Sequence, residues 1–509
     1  MISEPEPREP LLPVWAALVI AAASGPVLDA GFPDKGIWPL TFIGIALVLV
    51  TLIGRTVGSA IAVGFVAGCA FYFTHIQWAS LFLGPLPMSA LAVLQSLFFS
   101  AGAVAITLAY RWLPRVWCGS LGRLALLPIV VAGLWTAREA WSSVWPYGGF
   151  AWGRVSLSQS DSPISPLFSW LGISGTTFVM VLLVACGIEA ARASGTARLV
   201  RATAVVALAT VMLALPGWPV ATEGSIRVAA VQGNGKAGYF DGSEANDLLQ
   251  AQIDATAPLF GQKVDVVLWP EGTTYRDPTT DVYTGAAFDF ISEEMGAPLV
   301  AQGVTQRGDR FYNTAVLWKA GEGAVDFYDK KHPVPFGEYI PDRAFWRPFA
   351  PDLIDLIQRE YTPGTTDNVF DINGVIAGIN ICFDIVDDQI LSDSVRQGAQ
   401  VIFASSNNAD FGRTDESVQQ LAIARIRAIE LGRSVVNIST VGTSAMITPD
   451  GTIVQQLPWY EPGAMVDDVA LSSTITPAVF AGRQMEWFVS ILALGALVIA
   501  GLANRSKRR

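Results

Sequence analysis

At 509 residues the chain has the length of two or three domains, yet 51% of it is hydrophobic and only 15% charged, a balance that excludes an ordinary soluble protein. The net charge of −11 is uneven: residues 223–478 carry roughly 35 acids against 17 bases, about −18, and the remainder is about +7. An acidic soluble part gives no support for nucleic-acid binding, and two histidines with four cysteines in no CxxC pairing leave no structural zinc site to expect.

The chain opens on an acidic flank, "MISEPEPREP", which does not suit a cleaved signal peptide. Seven apolar runs precede residue 220, near 11–30, 37–54, 57–76, 87–109, 124–142, 166–188 and 199–217; an eighth lies near 485–503. Most are about 18–23 residues long, enough to span a hydrocarbon core of roughly 30 Å. With the N-terminus in the cytoplasm, the cytoplasmic loops hold Arg55, then Arg111, Arg115 and Arg123, then Arg192, Arg198 and Arg201, and the tail Arg505, Lys507, Arg508 and Arg509. The opposite loops hold little beyond Lys35 and Arg154, so the positive-inside rule is satisfied. The expected organisation is a seven-helix membrane domain over 1–222, an extracytoplasmic domain over 223–478, and a last helix with a basic cytoplasmic tail over 479–509. Both termini then lie inside.

In the 223–478 region, short β-rich runs alternate with helical patterns. "SIRVAAVQGN", "VDVVLWPEG", "PLVAQGVTQ", "FYNTAVLWK", "GVIAGINICF" and "AQVIFASSNN" read as strands; 244–260, 284–295 and 415–432 read as helices. This alternation predicts an α/β domain.

Three features near predicted strand ends carry chemistry. "VVLWPEG" delivers Glu271, "FYDKKHPVPFGEYIP" delivers Lys330, Lys331, His332 and Glu338 on a proline-stiffened loop, and "NICFDIV" delivers Cys382. Taken singly, each has an ordinary explanation: a solvated glutamate, a basic turn, a packed thiol. The combination differs, because a thiol nucleophile needs a base for its proton and a cation for its charge. Glu271 can be the base and Lys330 the cation. Cys69, Cys118 and Cys186 lie outside this region, so a disulfide reading of Cys382 is disfavoured. An ammonium about 4 Å from a thiolate, at an effective dielectric near 20, contributes about 4 kcal/mol. That lowers a thiol by up to about three units from its reference near 8.5, with Glu271 opposing part of it.

These residues resemble the nitrilase, or carbon–nitrogen hydrolase, superfamily, and within it most closely the apolipoprotein N-acyltransferases of bacterial membranes. The likeness rests on "WPEG" (269–272), "YDKKHPVPFGEYIP" (328–341), "NICFDIV" (380–386), "SSNNADFG" (405–412), "QQLAIARIRAIELGRSVVNISTVGTSAMITPDG" (419–451) and "GGFAWGRVSLSQ" (148–159), and it covers nearly the whole chain. It implies an α+β membrane protein, with an eight-helix transmembrane bundle and an α/β nitrilase-type αββα sandwich. It implies Glu271 as general base and acid, Lys330 (third in Y-x-K-x-H) as the oxyanion-stabilising lysine, Cys382 as nucleophile and Glu338 as a supporting glutamate. The implied reaction moves an acyl chain from a membrane phospholipid through a Cys thioester to the α-amine of a diacylglyceryl apolipoprotein, with no cofactor and no second subunit demanded. A membrane-tethered amidase using water as acceptor, and a non-catalytic scaffold, are the other readings.

Several positions depart from the family pattern. Phe383 and Asp384 stand where Tyr-Glu is usual; Asn408 and Asp410 are also exchanged. A tryptophan expected after "VQGN" is absent, with Tyr239 and Phe240 nearby. Trp152, in "WPYGGFAWGR", suits a membrane interface. "AFWRPFAPDLIDLI" (344–357) is amphipathic and predicts a lid carrying Phe345 and Trp346.

Overall fold

The computed structural model describes residues 10–119, 122–239 and 246–506. Phe240 and the tail residues Lys507, Arg508 and Arg509 lie outside the described residues. The chain divides into two compact units: residues up to 80, 84–217 and from 480 onward form one, and residues 81–83 with 218–479 form the other.

Every predicted apolar run is helical. The helices are α1 (Val14–Asp29), α2 (Pro39–Leu52), α3 (Val57–His75), α4 (Pro85–Val116), α5 (Leu127–Ser142), α6 (Phe168–Ala191) and α7 (Gly195–Ala214); α12, below, closes the chain. Prolines in the first turn start α2, α4 and α5, where a missing N–H costs nothing. Thr56 caps α3 by accepting from the Ser59 amide at 3.3 Å. Among the described residues, five helices are long and apolar enough to cross a membrane: α3, α4, α6 with its preceding turn, α7 and α12. Helices α1, α2 and α5 have 14–16 residues, so they rise only about 21–24 Å against a core of roughly 30 Å. Gly25 lets α1 and α3 touch backbone to backbone, since a Cβ there would meet the Ala70 carbonyl carbon at 2.2 Å.

The bundle buries an ion pair between Glu139 and Arg138. Glu139 Oε1 accepts from Trp135 Nε1 at 2.8 Å, the Arg138 guanidinium at 3.3 Å and the Val155 amide at 3.3 Å. Its Oε2 accepts from the Thr177 hydroxyl at 3.2 Å. Arg138 also lies over the Phe99 and Trp135 rings, at 4.6 and 5.1 Å.

Among the described residues the second unit has twelve strands: β1 (Ser225–Gln232), β2 (Val266–Leu268), β3 (Leu299–Arg307), β4 (Arg310–Lys319), β5 (Gly323–Asp329), β6 (Val369–Ile372), β7 (Val375–Ile381), β8 (Val401–Ser406), β9 (Ser434–Ser439), β10 (Ala445–Ile447), β11 (Ile453–Gln456) and β12 (Gly463–Ala470). They form two six-stranded sheets, in the orders β12-β1-β2-β3-β4-β5 and β11-β10-β9-β8-β7-β6. The helices of this unit are α8 (Asp247–Thr256), α9 (Val282–Met295), α10 (Asp388–Arg396) and α11 (Asp415–Leu431), and α12 (Pro477–Ser506) follows. Strand alternation explains the layers. In β1, Val228 and Ala230 face the second sheet, packing with Ile379, Val401 and Phe403. Ala229 and Val231 face the other way, with Trp269, Leu249 of α8 and Phe288 of α9. Both faces are covered, so the central strands read as continuous apolar runs. The result is a helix–sheet–sheet–helix sandwich.

The segment Leu81–Leu83 belongs to this unit. Phe82 and Leu83 pack with Phe336 and Trp346 on a small cluster of Ile340, Ile354 and Ile357.

Candidate active site

Strand direction gathers the chemistry. β1, β2 and β3 run parallel, as do β7, β8 and β9. β5 lies two antiparallel steps from β3 and so points the same way. The chain leaving these strands emerges at their carboxyl ends, the usual place for a site in such sheets. Glu271 comes three residues after β2, Lys330 one after β5, and Cys382 directly after β7.

The structure brings the predicted trio together with Glu338. Lys330, 1% exposed, places its ammonium 2.8 Å from Glu338 Oε2. Glu338 also accepts from the Val334 amide at 2.6 Å and from Asn313 Nδ2 at 2.8 Å. The same Asn313 amide donates to Glu271 Oε1 at 2.8 Å, and the Asn407 backbone N–H donates to Glu271 Oε2 at 2.9 Å. One amide thus ties both carboxylates. Asn313 holds that post because its own carbonyl accepts the Lys330 backbone N–H at 2.9 Å across the β4–β5 ladder.

Cys382 has φ of 51°, in the left-handed region that non-glycine residues rarely occupy. It follows β7 and opens a tight turn, Cys382–Val386, which lifts the thiol off the strand. Asp384 secures the turn: its Oδ2 accepts from the Ile381 amide at 3.0 Å and the Tyr328 hydroxyl at 2.9 Å. The short side chain suffices because it bonds backward to the strand end.

The electrostatics correct one expectation. Burial pushes the Cys382 thiol well above its ordinary value, Glu271 pushes it further, and Lys330 opposes without prevailing. The anticipated lowering of the thiol is therefore reversed, because removing a thiolate from water outweighs one cation shared among several anions. Burial likewise raises Glu271, against Lys330 and hydrogen bonds from Asn313 and Cys382. Burial pulls Lys330 down, but Glu338, Cys382, Glu271 and Asp384 more than restore it, so the ammonium stays charged. Asp384 is pushed up to about 6, by burial first. A neutral thiol beside a carboxylate of raised proton affinity and a permanent cation is suited to proton transfer concerted with attack on a carbonyl.

The remaining predicted residues are placed as follows. Phe383 is half-buried next to the nucleophile. Tyr239 donates its amide to Asp410 Oδ1 at 2.7 Å, so two departures from the family pattern meet, and its ring lies 5.9 Å from Phe82. In the amphipathic segment 344–357, prolines 348 and 351 limit helix to single turns, Arg343–Trp346 and Pro351–Ile354. Phe345 is 58% exposed, whereas Trp346 packs on Phe336 with ring centres 5.7 Å apart. Trp152 belongs to the bundle unit and is 3% exposed, packed against Trp78. Sequence reasoning missed Asn313 and Asn407 as site residues. The signal for Asn313 was a polar pair, Asn-Thr, inside the otherwise apolar run "FYNTAVLWK".

The chain matches two family models: apolipoprotein N-acyltransferase N-terminal domain over residues 24–186, and carbon-nitrogen hydrolase over residues 227–476. A Mycolicibacterium smegmatis protein named apolipoprotein N-acyltransferase is 30% identical, over 96% of this chain and 86% of that protein. One of the same name from Pseudomonas syringae pv. tomato is 26% identical, over 97% of this chain and 98% of its own. Among solved structures, an amidase from Nesterenkonia sp. is 19% identical and has a TM-score of 0.38, covering 50% of this chain and 93% of that chain.

Proposed function

The chain belongs to the apolipoprotein N-acyltransferase family, and from that premise we propose that it transfers a fatty acyl chain from a membrane phospholipid to the N-terminal α-amine of a diacylglyceryl apolipoprotein. The observation that carries this reading is the convergence of Glu271, Lys330 and Cys382 at one strand edge, in a chain whose other unit is a bundle of apolar helices. In the first step Glu271 takes the thiol proton as Cys382 Sγ attacks the ester carbonyl. Lys330 balances the oxyanion, the carbon–oxygen bond breaks, and the proton passes from Glu271 to the departing lysophospholipid alkoxide. In the second step Glu271 takes a proton from the acceptor amine as the nitrogen attacks the thioester. The carbon–sulfur bond breaks, an amide forms and the thiolate regains a proton. Glu338 and Asn313 orient the lysine and the base.

Loop charge supports an eight-span arrangement with the sandwich outside and both termini inside a bacterial inner membrane. Phe345 and Phe349, 58% and 73% exposed, are the aromatic tip of the predicted lid.

Intact mass spectrometry after incubation with defined phospholipid tests the reading. The expected result is one added acyl mass, absent in Cys382→Ala and discharged by a diacylated lipopeptide. Sustained release of free fatty acid without lipopeptide would instead identify a hydrolase using water. No adduct with any phospholipid overturns the acyl-enzyme.

A further inference from the structure

Behind Cys382 lies a second polar group that the two steps above leave unused. Its members come from the loop after β8 and the first two turns of α11. Asn408 is 2% exposed, Glu416 2% and Gln420 3%. The Ser439 hydroxyl oxygen is taken by the Gly442 amide at 2.9 Å, so its proton goes to Asn408 Oδ1 at 2.5 Å; the Ser406 hydroxyl adds a second bond there at 3.1 Å. That fixes the orientation of the Asn408 amide. Its two N–H bonds face Glu416 Oε2 and Gln420 Oε1, each at 2.7 Å. With Gln420 Oε1 occupied, Gln420 Nε2 faces the other way and donates to the Cys382 carbonyl at 3.4 Å. The hydrogen bonds therefore run in one direction, from serine hydroxyl through two amides to the residue that carries the nucleophile. The carbonyl they reach belongs to a backbone held at positive φ, where an anchor matters most.

We propose that Asn408, Gln420 and Glu416 are positioning residues for the nucleophile: the amide chain holds the Cys382 carbonyl and hence the thiol, and the carboxyl that shares the Asn408 amide sets how readily that thiol ionises. The proposal rests on the acyl-transfer reading only in taking Cys382 as the nucleophile. Among the described residues, Glu271, Lys330, Glu416 and Glu338 act electrostatically on Cys382, and Glu271 acts on Glu416. Burial, with repulsion from Glu271, pushes Glu416 up to about 8 against its bond from Asn408. The carboxyl is therefore neutral at pH 7 and becomes an anion as the pH rises through 8, adding a negative charge that disfavours the thiolate.

Two variants of the full-length enzyme in detergent test this, using iodoacetamide labelling of Cys382, which needs no lipid, beside acyl transfer. Gln420→Met keeps the length and loses both bonds. Its kcat should fall about tenfold or more with KM for phospholipid within twofold, and labelling at pH 8 should slow in parallel. Glu416→Gln keeps an acceptor for Asn408 and cannot ionise. Its labelling rate should climb more steeply with pH, reaching at least three times the wild-type ratio between pH 9.5 and pH 7.5. A wild-type kcat and labelling rate in Gln420→Met overturns the positioning role; a wild-type pH profile in Glu416→Gln overturns the charge role. Should Gln420→Met fail to fold, the Glu416→Gln profile alone decides. Wild-type labelling without acyl transfer would fault the functional reading and leave this test intact.

Discussion

Two buried charge clusters, one in each unit, are built in opposite ways: Glu139 with Arg138, and Lys330 with its carboxylates. In the bundle, Glu139 meets one arginine and three further donors, so each carboxylate oxygen is matched. In the sandwich, a single ammonium, Lys330, faces Glu338, Glu271, Asp384 and a thiol. A matched pair is an end in itself: desolvation is offset by hydrogen bonds and nothing is left to react. An unequal set leaves protons loosely assigned among neighbours, which is what a thiol chemistry requires.

The sharpest break between the two regions comes from Cys382→Ala. Turnover should fall at least about 10³-fold with no loss of thermal stability, measured as lipopeptide acylation beside melting in detergent. Next, Glu139→Gln should do the reverse. Leaving Arg138 buried without its anion should cost about 3–5 kcal/mol of stability, while turnover per acylatable cysteine stays at the wild-type value. A fall in that per-site turnover would show that the bundle pair is not merely structural.

Asp384 gives a pH-dependent contrast within the sandwich. It titrates near 6 when folded and near 3.8 otherwise, so the folded chain holds the proton more tightly. Its stabilising contribution is complete below pH 4 and is lost as the pH rises through 6. Asp384→Asn stays neutral and should be more stable than wild type by up to about 3 kcal/mol at pH 8, with no difference at pH 4. Equal melting temperatures at pH 8 would contradict the buried, underpaired carboxyl. The smallest effect is expected at the exposed tip. Phe345→Ser should change stability by less than about 0.5 kcal/mol and slow phospholipid turnover about threefold. Normal turnover would remove Phe345 from the lid.

What could be read in the sequence follows the same divide. Glu271, Lys330 and Cys382 were legible because each ends a β-rich run and each is the chemically unusual residue there. The helices were legible because apolar length is a local property. Asn313 was not, since its role lies in hydrogen bonds to Glu271 and Glu338, 42 and 25 residues away along the chain. Strands such as β6 and β11, four residues each, are too short for periodicity to register. The direction of the thiol shift was misjudged because a local count of charges contains no measure of burial, which is collective. That the lid segment holds only single helical turns was visible in the sequence: prolines 348 and 351 cannot sit inside a continuous helix with their neighbours.

Leu81–Leu83 bears on how this architecture can be taken apart. Three residues coded far upstream of the sandwich supply part of its wall, so residues 218–479 are not a transplantable cassette. A fragment cut at those limits would present Phe336, Trp346 and the Ile340–Ile354–Ile357 cluster without the Phe82 and Leu83 side chains that cover them. Recombination that shuffled the hydrolase segment onto another carrier would have to bring that helical turn along, which binds the two halves of the gene into one heritable unit.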